Sequence, residues 1–136
     1  MIISVVVIDL NVFVRALLGS KINKAIYEAI KEERIMLAFC PDMLENLTRV
    51  LLRPRLKLKL EDIKEYLELI KTKAIIVKPK IRTNTCRDAS DNIVLETAIA
   101  AKADIIISND KDLLVLKSFR GIPIIKPKEF LSHLKK

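Results

Sequence analysis

Residues 86–114 run CRDASDNIVLETAIAAKADIIISNDKDLL. Two aspartates, Asp88 and Asp91, stand at the head of this stretch. Behind them Ile93, Val94, Ala98 and Ala101 recur at helical spacing, and Ser90 or Asp88 is placed to cap that helix, which runs to about Lys102. The small residues Ala98, Ala100, Ala101 and Ala103 suit a helix lying close on a sheet. A short apolar run at 104–107 reads as a strand, and Asp110 and Lys111 then open a second, shorter helix with Asp112 in its first turn. Helix, strand and helix follow one another with an acid near each junction.

The same pattern extends on both sides. Residues 2–8, IISVVVI, form a continuous β-branched run ending on Asp9, as expected of a strand buried on both faces. Residues 11–18 read as a helix stopped by Gly19, and Ser20 caps a second helix with Ile22, Ala25, Ile26, Ala29 and Ile30 at helical spacing. A strand at 34–39 leads to Pro41, well placed at the first turn of a helix that reaches about Leu52. Met43, Leu44, Leu47, Val50 and Leu51 share a face of it. The basic, leucine-alternating segment 53–60 is a linker, a short helix or an edge. A helix at 61–71, a strand at 74–77 and a polar loop at 80–87 complete the middle of the chain. After the central stretch, Gly121 turns the chain into a last strand, IPII, and Pro127 starts a final helix. This alternation predicts an α/β fold: a mostly parallel central sheet of about five strands, covered by helices on both faces, in a single domain over residues 1–136.

Half of the residues are hydrophobic, enough to bury a core without disulfides. Cys40 and Cys86 lack metal-ligand spacing and are expected as free thiols in a reducing, cytoplasmic setting. No stretch is long enough to span a bilayer, and the apolar run at 2–8 is too short for a signal peptide. The net charge of +8 favours a polyanionic partner, nucleic acid first, although a solvated lysine surface would give the same number.

In an open α/β sheet, function gathers beyond the carboxyl ends of the strands. Asp9 and Asp110 fall at such ends, and Asp91 lies in the first turn of a helix, where the dipole favours negative charge. Each has an ordinary reading as well. Asp9 and Asp110 suit helix caps, and Asp91 suits a plain first-turn acid. Convergence of the three would set up repulsion of about 1–4 kcal/mol per pair at roughly 4 Å. Such a group requires a cation, and an all-oxygen shell selects Mg²⁺ or Mn²⁺.

Four segments together resemble the PIN domain family, in particular its VapC-like ribonuclease branch of toxin–antitoxin pairs. They are VVIDLNVFVRALL, PDMLENLTRVLLRPRL, RDASDNIVLETAIAAKADIIISNDKDLL and GIPIIKPKEFL. The resemblance implies a three-layer α/β/α sandwich and metal-dependent endoribonuclease activity on single-stranded RNA. It implies Asp9, Asp91 and Asp110 as metal ligands, Asp112 as an auxiliary catalytic acid, and Asn11 and Ser108 as polar supports, of which Ser108 would hydrogen-bond the first acid. Lys111, Arg49, Arg53, Arg55 and Lys57 would guide RNA. A homodimer and an antitoxin protein are the partners it implies. The chain departs from the family pattern at Leu10, Cys40 and Asn46, where the family has a small polar residue, a serine and a glutamate. Helical geometry places Asn46 on the flank of the apolar face, toward the cleft, where it is a candidate catalytic residue offering a carbonyl oxygen to a cation, and Glu45 on the opposite side, toward water. A catalytically silent PIN fold that binds RNA or protein is the alternative. Receiver-like and small phosphatase domains rank lower, because no Asp-x-Asp follows the first strand and no glycine-rich phosphate loop is present.

Overall fold

The computed structural model describes residues 4–134. Residues 2 and 3 of the expected first strand lie outside them. The strands are β1 (Val5–Ile8), β2 (Met36–Phe39), β3 (Ile75–Ile76), β4 (Ile105–Ile107), β5 (Ser118–Phe119) and β6 (Ile122–Ile125). The helices are α1 (Leu10–Leu17), α2 (Lys21–Lys31), α3 (Pro41–Leu51), α4 (Leu60–Lys73), α5 (Ala89–Ala101), α6 (Lys111–Leu114) and α7 (Pro127–Leu134). Segment 53–60 is resolved as a 3-10 turn, Pro54–Leu56, with irregular chain up to α4.

The sheet has the order β3-β2-β1-β4-β6-β5 and is parallel except for the β5–β6 pair. It therefore has six strands rather than the five expected. The sixth, β5, is two residues long, too short to show a period in sequence. It is joined to β6 by Arg120 and Gly121, both at positive φ (49° and 83°), as a two-residue type I′ hairpin requires.

The expected burial of the first strand holds at the centre of the sheet. Val6, Val7 and Ile8 are fully buried between β2 and β4, as are Leu37, Ala38 and Phe39, and Ile106 and Ile107. Helix α5 packs across β1, β2 and β4. Ala98 lets it approach closely and is fully buried. Asp91 through Ala98 are buried except for half-buried Ile93, so α5 is enclosed on nearly all sides and is not a surface helix. Lys102, at φ 52°, ends it in the left-handed conformation that usually takes glycine. Between α1, α4 and β2, Phe13 meets Phe39 edge-on at 5.5 Å, and the Tyr66 hydroxyl donates to the Phe13 carbonyl at 3.0 Å. Several large apolar residues fall outside the core, among them Ile22, Ile75 and Ile76. Ile22 is exposed because only one side of α2 meets the protein, and β3 is an exposed edge.

The strand order reverses between β1 and β4. β1 leads by way of α1 and α2 to β2 on one side, while β4 enters on the other side from α5. The crevice beyond the carboxyl ends of β1 and β4 is therefore the switch point of the sheet.

Candidate metal centre

The register of β1 and β4 builds the first half of the site. Ile8 stands opposite Ile107, and the Asp9 N–H donates to the Ile107 carbonyl at 2.9 Å. The next residue of each strand, Asp9 and Ser108, is thereby brought side by side at the rim. Ser108 is fully buried, and its Oγ donates to Asp9 Oδ2 at 2.9 Å while accepting the Asp110 N–H at 2.9 Å. One hydroxyl thus fixes both the first acid and the backbone of the last.

The capping readings separate at this point. Asp9 occupies the N-cap position of α1 but makes no side-chain capping bond, so its carboxylate is left to the rim. Asp110 does cap α6, through Oδ1 on the Asp112 N–H at 2.8 Å. Asp88, not Ser90, is the N-cap of α5. Asp91 stands in the first turn of α5, with its charge at the favourable end of the helix dipole.

Asp9, Asp91 and Asp110 converge. Each offers a carboxylate oxygen, and the three atoms lie within 4.8 Å of one another. Asp9 and Asp91 are only 5% and 4% exposed. Burial raises the Asp9 pKa, with Asp110 adding to it; the Ser108 hydrogen bond and the Asn11 and Leu10 amides oppose the rise. Asp91 is pushed up to about 7, by burial first and then by the charges of Asp110 and Asp9. Asp91 Oδ2 is buried without a hydrogen-bond partner. A buried, unsatisfied oxygen on a carboxylate clustered with two more acids is costly in a protein alone. It fits a hard divalent cation, since all the donors are oxygens.

The other expected site residues are more scattered. Asp112 is not in this cluster; its carboxylate lies 3.1 and 3.2 Å from Arg87 Nη2. Asn11 is exposed on the first turn of α1, and its contribution is the backbone N–H beside Asp9. Asn46 is half-buried on α3, whereas Glu45 is exposed and paired with Arg49 at 3.4 Å. Lys111, Arg53, Arg55 and Lys57 are exposed.

Sequence reasoning missed a polar stripe on α5. Asp88, Asn92 and Glu96 are four residues apart and share one side of the helix. Asn92 accepts the Cys86 N–H at 2.8 Å and donates to the Cys86 carbonyl at 2.9 Å. Glu96, 4% exposed, accepts the Thr83 N–H at 2.9 Å and Arg82 Nη1 at 3.2 Å. The available signal was two polar residues, Asn92 and Glu96, at i, i+4 in a helix expected to lie close on the sheet.

The PIN domain profile matches residues 5–112, most of the chain, and the chain belongs to the PIN domain family. PIN domains are commonly metal-dependent nucleases. Among solved structures the chain is similar to PAE2754 from Pyrobaculum aerophilum, with a TM-score of 0.61 and 13% identity, over 98% of this chain and 90% of that one. At that identity the likeness concerns the fold. A comparison with curated proteins returned no match. Among the described residues, no helix is long and apolar enough to cross a membrane.

Proposed function

We propose that this chain is a Mg²⁺- or Mn²⁺-dependent endoribonuclease acting on single-stranded RNA, and the toxin of a toxin–antitoxin pair. The observation that carries the nuclease reading is the meeting of Asp9, Asp91 and Asp110, with one Asp91 oxygen buried and unpartnered. These three carboxylates would hold the cation. The chemistry a bound divalent ion supplies at such a site is charge neutralisation and polarisation of a phosphodiester. Ser108 keeps the Asp9 carboxylate in place, and the Asp112 amide keeps Asp110 turned to the rim. Asp112 lies two residues beyond Asp110, as an auxiliary acid would. Lys111, Arg49, Arg53 and Arg55 supply exposed positive charge for RNA. The buried free thiols Cys40 and Cys86 fit a reducing cytoplasm. A homodimer and an antitoxin protein are the partners this reading includes.

The test is cleavage of a labelled single-stranded RNA in Mn²⁺ and in EDTA, by wild type and by Asp9→Asn. The expected result is metal-dependent cleavage by the wild type alone. Equal cleavage by both proteins assigns the activity to a contaminant. One observation favours a silent binding module instead: α3 carries Asn46 where the resemblance places a glutamate. No cleavage, together with no Mn²⁺-induced rise in Tm, would select that reading.

A further inference from the structure

The segment between β3 and α5 carries Lys78, Lys80, Arg82 and Arg87, and no acid between Val77 and Arg87. All four cations are exposed. The path of the segment follows from its contacts. Lys78, Lys80 and Ile81 line a groove of about 320 Å³ with Glu96, Ile99 and Ala100 of α5. Thr83 and Arg82 meet Glu96, and Cys86 meets Asn92 near the helix start. The chain thus climbs the flank of α5 from the level of Ile99 to the first turn. At 1.5 Å per residue, Ile99 lies about 12 Å along the helix from Asp91.

This strap is held by buried groups and is not left to solvent. Glu96 takes the Thr83 amide and one Arg82 nitrogen, yet Arg82 remains 72% exposed at its side chain. Asn92 satisfies both backbone polar groups of Cys86. At the upper end Arg87, 88% exposed, rests one nitrogen on Asp112, whose own amide holds Asp110. A guanidinium is therefore tethered at the rim of the acid cluster with its remaining N–H groups free. The carboxylates that steady the strap leave its outer face positive.

We propose that strap 78–87 is the track along which the phosphate backbone of single-stranded RNA runs into the acid cluster, with Arg87 at the rim and Arg82, Lys80 and Lys78 further out. This rests on the nuclease reading above and names the surface that delivers its substrate. The strap holds no Phe, Tyr or Trp, so the grip is on phosphates and is indifferent to base identity. Lys21 and Lys24 at the start of α2, equally exposed and without buried anchors to α5, are the comparison.

The experiment is fluorescence anisotropy of a labelled single-stranded RNA oligonucleotide in EDTA, over a salt series, with the full chain. Wild type, Lys78→Gln/Lys80→Gln and Lys21→Gln/Lys24→Gln are compared, with Tm measured for each. The strap variant is expected to bind several-fold more weakly, with the slope of log K against log salt reduced by about 1.4 for two lost contacts. Its Tm should match the wild type, and the Lys21/Lys24 variant should keep the wild-type slope. An unchanged slope in the strap variant, or an equal fall in both variants, overturns the track. Strap-dependent binding without Mn²⁺-dependent cleavage would sink the nuclease reading while leaving the track. Cleavage with strap-independent binding would do the reverse.

Discussion

Asp91 concentrates the physical tension of the site. Its carboxyl is held at about 7, against an ordinary value of 3.8, because it is buried beside Asp110 and Asp9. Between those values the folded, metal-free chain keeps a proton that the unfolded chain has released. Stability from this group is therefore present at low pH and is lost as pH rises through about 7. Asp9 is shifted in the same direction, whereas Glu33 and Asp88 are lowered and act only in more acidic solution. The Tm in EDTA should thus be higher near pH 5.5 than near pH 8, and Mn²⁺ should remove most of that difference. Asp91→Asn should flatten the pH dependence, raise the metal-free Tm near pH 8 by several degrees, and abolish the Mn²⁺ effect. A calorimetric series over pH checks all three, and an Asp91→Asn protein still stabilised by Mn²⁺ would place the cation elsewhere.

At the scale of elements, α5 does two separate tasks. One side seals the central strands with Val94, Leu95 and Ala98, each nearly or fully buried. Asn92 and Glu96 hold the strap that precedes it, while Asp88 caps the helix itself. Losing a hydrogen-bonding partner from a buried backbone group costs about 1–3 kcal/mol. Asn92→Ala strands both the N–H and the carbonyl of Cys86, so a loss in that range is expected in urea unfolding. Hydrogen exchange should show the loss locally, with faster exchange at Cys86 and its neighbours and unchanged protection of Val6 and Val7 in β1. Uniformly faster exchange across β1 would mean that Asn92 supports the whole fold and not the strap.

For the whole molecule, the sheet ends differently on its two sides. One edge closes with the β5–β6 hairpin. The other is β3, only two residues long, with Ile75 and Ile76 42% and 46% exposed. Short edge strands limit strand addition, but apolar side chains here invite association in an otherwise strongly basic protein. A lysine at this edge should act as a gatekeeper. Ile76→Lys is expected to lower light scattering on heating or at high salt, with folding stability within about 0.5 kcal/mol of wild type. Unchanged scattering would locate the self-association elsewhere.

The order of strands and helices was open to sequence because each element carries its own period and its own stop. The β-branched run before Asp9, the proline opening α3 and the glycine ending α1 act over a few residues, and that is the range sequence reasoning covers. Asp9, Asp91 and Asp110 could be singled out as candidates for the same reason, since each sits at an element boundary. Their meeting was decided only by tertiary structure. It depends on the pairing of Ile8 with Ile107, which sets Asp9 against Ser108, and on α5 crossing β1 and β4 with its first turn at the rim. The roles of Asn92 and Glu96 were beyond local reading, since their partners lie in a loop that shows no period of its own. Asp112 and Arg87 paired for a similar reason, being 25 residues apart in the chain and neighbours only after folding. Local chemistry determined which residues could serve, and long-range packing determined which of them share a site.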